Sequence, residues 1–170
     1  MCKIKEKCIH FKNSNGYEEW YKYDEKGRMI YFKSSDNFET KKKYDDKGNE
    51  IYYKDSNGNE YWKDYDEKGN LLHLKRTHGY EEWKQYDENK NMIHFKNSEG
   101  FEQYFEYNED GNIVHHKDSY GFEYWKEYDD KGNEIHYIDS NGCEEWHEYN
   151  ENGNIIHFKN SEGYEEWHKY

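Results

Sequence analysis

The residues best suited to chemistry in this chain come in columns. Glutamates recur every 21 residues at Glu18, Glu39, Glu60, Glu81, Glu102, Glu123, Glu144 and Glu165, and imidazoles follow the same clock at His10, His73, His94, His115, His136 and His157. Paired carboxylates can divide acid and base roles, and imidazoles can hold zinc or move protons. On a β-sheet, however, equivalent residues of successive hairpins stand two strands apart, about 9.6 Å at ~4.8 Å per strand. That reaches the outer limit of the roughly 6.5–9.5 Å between the carboxyls of an inverting glycosidase. Identical sites also offer nothing to push two carboxyl pKa values apart. Two imidazoles at that distance cannot share a zinc whose bonds to nitrogen are about 2.0–2.1 Å. Each Glu is therefore expected to accept hydrogen bonds near a turn or to pair with a cross-strand Lys, and each His to take a cross-strand Glu or Tyr. The Ser column from Ser14 to Ser161, with Thr77, reads as turn residues, because no His and Asp recur beside it as triad partners. No catalytic residue, metal site or cofactor is expected, and the chain does not read as an enzyme.

The columns require an element that repeats. Gly27, Gly48, Gly69, Gly111, Gly132 and Gly153 form one series, with Lys90 standing in the gap; Gly16, Gly58, Gly79, Gly100, Gly121, Gly142 and Gly163 form another, with Asn37 in its gap. Between them lie segments of about six residues rich in Ile, Tyr, Phe and Trp, as in "GYEEW" at 16–20, 79–83 and 163–167. Such segments read as strands joined by tight turns in which Gly supplies positive φ. The expected fold is all-β, an antiparallel meander of about 16 strands from eight 21-residue hairpin repeats, forming a single curled or twisted, solenoid-like sheet. The units fall near 6–26, 27–47, 48–68, 69–89, 90–110, 111–131, 132–152 and 153–170, in one repeat domain over 1–170. An odd period would flip every column to the other face, because side chains alternate with period two. One hairpin per unit must hold an odd loop or a bulge, and the Tyr-Asp-x-x-Gly turn is the candidate.

With that correction the faces can be assigned. One is expected to carry the aliphatic column (Ile9, Ile30, Ile51, Leu72, Ile93, Val114, Ile135, Ile156) and the column from Phe11 to Phe158, faced by Trp20, Trp62, Trp83, Tyr104, Trp125, Trp146 and Trp167. His, Lys and further Tyr take the other, wet face. The column Tyr23, Tyr44, Tyr65, Tyr86, Tyr107, Tyr128, Tyr149 and Tyr170 is expected to pack over the turns and bond through its hydroxyls.

"YDEKGR" at 23–28, "YDDKGN" at 44–49 and 128–133 and "YDEKGN" at 65–70, each with a second Gly about ten residues later, resemble the YD-repeat (Rhs-type) pattern. The resemblance covers essentially the whole chain. It implies a curled β-sheet, since YD-repeat proteins are long meanders that form shells or spirals, often in toxin delivery systems. Those shells are many times longer and carry a toxin domain, and no such domain is expected within these 170 residues of repeat.

Composition bounds the partners. Charged residues are 37% and aromatics 20% of the chain, and the net charge is −13. The aromatics and strict period oppose disorder. The charge disfavours direct binding to nucleic acid or an anionic membrane and favours a basic protein surface, such as a nucleic-acid-binding protein or nuclease. No apolar run reaches the ~18 residues of a membrane helix, and the N-terminus lacks a signal-peptide core. Cys2, Cys8 and Cys143 are odd in number without metal-site spacing, which suits a cytoplasm. The expected function is that of an intracellular inhibitor, whether antitoxin, immunity protein or phage anti-defence protein, that occludes a basic partner, its acids standing in for phosphates. A self-assembling sheet joined through edge strands at 9–12 and 165–170, and a carbohydrate-binding module, are the alternatives. The candidate contact residues are Glu18, Glu60, Glu81, Glu102, Glu123, Glu144 and Glu165, the basic run Lys41, Lys42 and Lys43, and an apolar spot of Tyr137, Ile138 and Cys143. Ile138 interrupts a column otherwise made of Lys12, Lys33, Lys54, Lys75, Lys96, Lys117 and Lys159.

Overall fold

The computed structural model describes residues 7–170; Cys2 and the start of the first unit lie outside them. Sixteen strands form one antiparallel sheet in which every strand neighbours the strands before and after it in sequence. The series runs β1 (Lys7–Lys12), β2 (Glu18–Tyr23), β3 (Met29–Ser34) and onward at intervals of ten or eleven residues. Its later members are β10 (Glu102–Tyr107), β11 (Ile113–Asp118), β12 (Glu123–Tyr128), β13 (Glu134–Asp139), β14 (Glu144–Tyr149), β15 (Ile155–Asn160) and β16 (Glu165–Trp167). The described residues form two compact units, divided between Trp83 and Lys84.

Both turns of a repeat are built alike. Gly16 N donates to Asn13 O at 3.1 Å and Asn13 N to Tyr17 O at 3.0 Å; Gly27 N donates to Asp24 O at 3.0 Å and Asp24 N to Arg28 O at 2.9 Å. This is a three-residue loop, a tight turn closed by a residue in the left-handed region. Gly27 has φ +78°, and where Gly is missing Asn37 (+66°) and Lys90 (+71°) adopt the same conformation. The side chain at the head of each turn replaces a strand partner: Asp24 Oδ1 accepts from Lys26 N at 3.0 Å and Arg28 N at 2.9 Å. Arg76 stands where other units carry Asn, Asp or Ser, and there the loop Thr77–Gly79 tightens into a 3-10 turn with His78 at φ +77°.

The parity problem is solved beside the Tyr-Asp turn. Lys22 lies opposite Tyr31, but Tyr23 lies opposite Met29, so Ile30 is an extra residue in β3. The same shift recurs at Tyr44, Tyr65, Tyr107, Tyr128 and Tyr149. The aliphatic column thus supplies the bulge residue of each unit, at Ile30, Ile51, Leu72, Val114, Ile135 and Ile156. The bulges at Ile30, Ile51, Val114 and Ile135 lie under a hydroxyl clamp: Tyr128 OH donates to Ile113 O at 3.0 Å and Tyr149 OH to Glu134 O at 2.9 Å. At the opposite end of the strands Ser140 N donates to Glu123 O at 2.8 Å, while Ser140 Oγ accepts from Glu123 N at 3.1 Å. Ser35, Ser56, Ser119 and Ser161 make the same reciprocal clip to the preceding unit, and at Thr77 the hydroxyl alone serves both ends, accepting from Glu60 N and donating to Glu60 O.

The expected faces need correcting. Trp20 pairs with His10, Trp62 with Tyr52, Trp83 with His73, Trp125 with His115, Trp146 with His136 and Trp167 with His157. Cross-strand partners share a face, so the indoles stand with the imidazoles and lysines, not across from the aliphatics. The reason is the second loop: with three residues between Asn13 and Tyr17, counting outward meets His10 against Trp20. The other face carries half-buried rings such as Tyr21 and Phe32 (centroids 5.2 Å apart) and His116 between Phe105 (4.9 Å) and Tyr124 (5.0 Å). Lysines lie on these rings, and Lys126, 5.4 Å from the Tyr124 centroid, also pairs with Glu134 at 2.7 Å. Among the described residues Leu74, 5% exposed, is the one buried hydrophobic. Strand ladders and ring contacts, rather than an enclosed core, hold each unit.

Candidate interaction face

The face that gathers the glutamate, imidazole, indole and lysine columns is a lattice of charge and rings. Its rows run across the strands. One row reads Glu127, His136, Trp146, Lys159 and Glu165, each opposite the next on β12 to β16. The imidazole ring stacks on the indole with centroids 5.4 Å apart and planes 16° apart at His136–Trp146, and 5.0 Å and 8° at His115–Trp125. Tyr104 replaces the indole against His94 at 4.4 Å, and Tyr52 replaces the imidazole against Trp62 at 5.7 Å.

Each glutamate of the main column binds the group diagonal to it. Imidazole Nε2 lies 2.8 Å from the carboxylate at His10–Glu18, 3.1 Å at His73–Glu81, 2.7 Å at His94–Glu102, 2.9 Å at His115–Glu123, 3.0 Å at His136–Glu144 and 2.8 Å at His157–Glu165. Tyr52 OH donates to Glu60 at 2.6 Å in the same place. Lysines complete the pairing at Lys12–Glu18 (2.6 Å), Lys54–Glu60 (3.0 Å) and Lys75–Glu81 (2.6 Å). The bonds from Lys12 and His10 hold Glu18 below the usual carboxylate pKa; the His115 bond does so for Glu123 and the Tyr104 and His94 bonds for Glu102. This column is satisfied from within the sheet.

A second acidic column meets the other ring nitrogen. Nδ1 of His115 lies 3.4 Å from Glu106, that of His136 3.8 Å from Glu127 and that of His157 3.2 Å from Glu148. For His157, burial works to lower the pKa, but the bonds from Glu165 and Glu148 prevail and raise it above the ordinary imidazole value. These outer carboxylates are open: the side chains of Glu106, Glu127 and Glu148 are 72%, 70% and 61% exposed. The column follows its partner. Where it meets His it is Asp64, Glu106, Glu127 or Glu148, with the neutral Gln85 at the equivalent position in the unit of His94; where it meets Tyr31 or Tyr52 it is Lys22 or Lys43, lying over the ring at 5.6 and 5.3 Å. Sequence reasoning overlooked this column, although the exchange of Lys for acid as Tyr gives way to His was there to be read.

Two expected clusters are dispersed by strand alternation. Lys41 and Lys43 lie on this face, Lys41 bonded to Glu39 at 3.1 Å, whereas Lys42 lies on the other, paired with Glu50 at 2.8 Å. The basic run is no continuous patch. Tyr137 and Cys143 lie on the ring face, with Tyr137 OH donating to Asp139 at 3.0 Å, while Ile138 stands on the lattice face between Trp125 and Glu144. Cys8 and Cys143 are free thiols. Among the described residues no group of three His, Cys, Asp or Glu side chains could hold a metal ion, and no helix is long and apolar enough to cross a membrane.

No protein-family model and no curated protein matches the sequence. Solved structures do match the fold. A chain of the Photorhabdus luminescens Tc holotoxin pore superposes with a TM-score of 0.60 at 14% identity, over 90% of this chain and 10% of that one. TcdB2-TccC3 without its hypervariable C-terminal region gives 0.62 at 13% identity, again over 90% and 10%. The TcdB2-TccC3-Cdc42 complex gives 0.59 at 14%, over 88% and 9%. The chain spans about a tenth of these proteins. The likeness concerns the fold and accords with a YD-repeat-like sheet.

Proposed function

We propose that this is a non-catalytic recognition sheet that binds and occludes a basic protein, acting in the cytoplasm as an inhibitor of a nucleic-acid-binding protein or nuclease. One observation carries the reading: the open column Glu106, Glu127 and Glu148 stands beside half-exposed rings in three successive units, without a lysine of its own. Carboxylates in that setting steer a basic surface into contact, and indoles supply anchors. The inner glutamates Glu18, Glu60, Glu81, Glu102, Glu123, Glu144 and Glu165, expected to meet the partner, also orient His, Tyr and Lys within the sheet. The likeness to Tc toxin chains favours, as a second reading, a purely structural wall.

The test is a tagged pull-down from nuclease-treated host lysate at low and physiological salt, with the wild type and the Glu106→Gln/Glu127→Gln/Glu148→Gln variant. A stoichiometric basic protein held by the wild type and lost by the variant is the expected result. Recovery of the protein alone, as larger assemblies, would favour the wall.

A further inference from the structure

Each lysine of the lattice column stands between two neighbours. Lys117 lies opposite Tyr104 on one side and Glu123 on the other, and Lys159 lies opposite Trp146 and Glu165. Lys159 Nζ is 5.3 Å from the Trp146 ring centroid, and Lys117 Nζ is 3.6 Å from the Glu123 carboxylate. Ile138 breaks the column between Trp125 and Glu144, so Trp125 lacks the cation that Lys159 brings to Trp146, and Glu144 the one that Lys117 brings to Glu123. Among the described residues no lysine or arginine lies over Trp125, which is 43% exposed, and the partner of Glu144 is the His136 ring. The open carboxylates of Glu106 and Glu127 stand at the ends of this and the adjoining row.

We propose that Trp125, Ile138 and Glu144 form a socket for a lysine or arginine side chain of the basic partner, which takes the position the repeat fills elsewhere with its own lysine. The inference rests on the reading that this face binds a basic protein. The aliphatic stem of the incoming side chain lies on Ile138, its cation meets the indole face of Trp125, and Glu144 accepts its hydrogen bond. Charge selects this occupant over an apolar anchor, because Glu106, Glu123, Glu127 and Glu144 surround the socket. The interaction strengthens as the partner displaces water from the ring.

The test selects a displayed random-peptide library on the wild-type protein at physiological salt. Individual peptides are then measured by fluorescence polarisation. Ile138→Lys restores the lysine of the other units, so the variant keeps its fold, which an unchanged or raised melting temperature verifies. Selected peptides carry Lys or Arg, and Ile138→Lys weakens them at least tenfold, as does replacing the peptide's arginine by citrulline or acetylating its lysine. A loss below tenfold on Ile138→Lys overturns the socket. So do peptides that lose binding on Ile138→Lys yet hold no basic residue, since the occupant is then apolar. Peptides lost on Glu106→Gln/Glu127→Gln/Glu148→Gln but kept on Ile138→Lys overturn the socket and leave the basic-partner reading standing; peptides kept on both overturn both.

Discussion

Each imidazole of the lattice is held by an inner glutamate on Nε2 and an indole or phenol on its face, and in four of the units an outer acid approaches Nδ1. These bonds set the response to pH. The folded pKa values of Glu18, Glu81, Glu102 and Glu123 are depressed by their Lys, His and Tyr donors. Their contribution to stability is complete above the unfolded value of about 4.3 and is lost as pH falls through the folded values. A melting series in acid should therefore show the midpoint falling steeply below about pH 4. His157 has the opposite sign: its raised pKa stabilises below the unfolded value of about 6.5 and stops doing so as pH rises past the folded one. His157→Gln should remove that alkaline share of the pH profile and leave the acid limb in place. The hydroxyl clamp of Tyr128 on Ile113 O gives a third expectation, a loss of about 1 kcal/mol in Tyr128→Phe by denaturant unfolding. At this scale the column identities were legible in the sequence, but their pairing was not. The indoles had been placed with the aliphatics because both are apolar, whereas loop length decides which residues meet.

The hairpin is the element in which the 21-residue period finds its reason. Two identical three-residue loops leave the parity unresolved, and the extra residue at Ile30 and its equivalents restores it. The need for such a bulge follows from the odd period alone, and that much could be read. Its position could not: it sits one step inside the ladder, where the small aliphatic residue is doubled against a Tyr. Turn chemistry yields a paired prediction. Gly132 at φ +81° takes no side chain without strain, so Gly132→Ala should cost about 1–2 kcal/mol, while Lys90→Gly at φ +71° should stabilise by about 0.5–1 kcal/mol. Thermal unfolding of both variants checks the sign at two equivalent positions. The Ser clips that join successive turns also escaped the sequence reading, since a serine in a turn looks the same whether or not its hydroxyl reaches the neighbouring unit.

The molecule as a whole is a sheet whose two surfaces are both half-wet, with Leu74 alone among the described residues as a buried hydrophobic. Unfolding exposes little new apolar surface, so calorimetry should give a heat-capacity increment below the roughly 12–15 cal/mol/K per residue of globular domains. Function then depends on which surface a partner meets, and equal charge changes on the two faces decide it. Glu127 and Glu148 stand on the lattice face, Glu145 and Glu166 on the ring face. The decisive measurement compares recovery of the partner by Glu127→Gln/Glu148→Gln and by Glu145→Gln/Glu166→Gln in parallel pull-downs at physiological salt. The lattice-face pair should lose the partner while the ring-face pair retains it; equal loss from both, or loss from the ring-face pair alone, would contradict a partner-binding lattice.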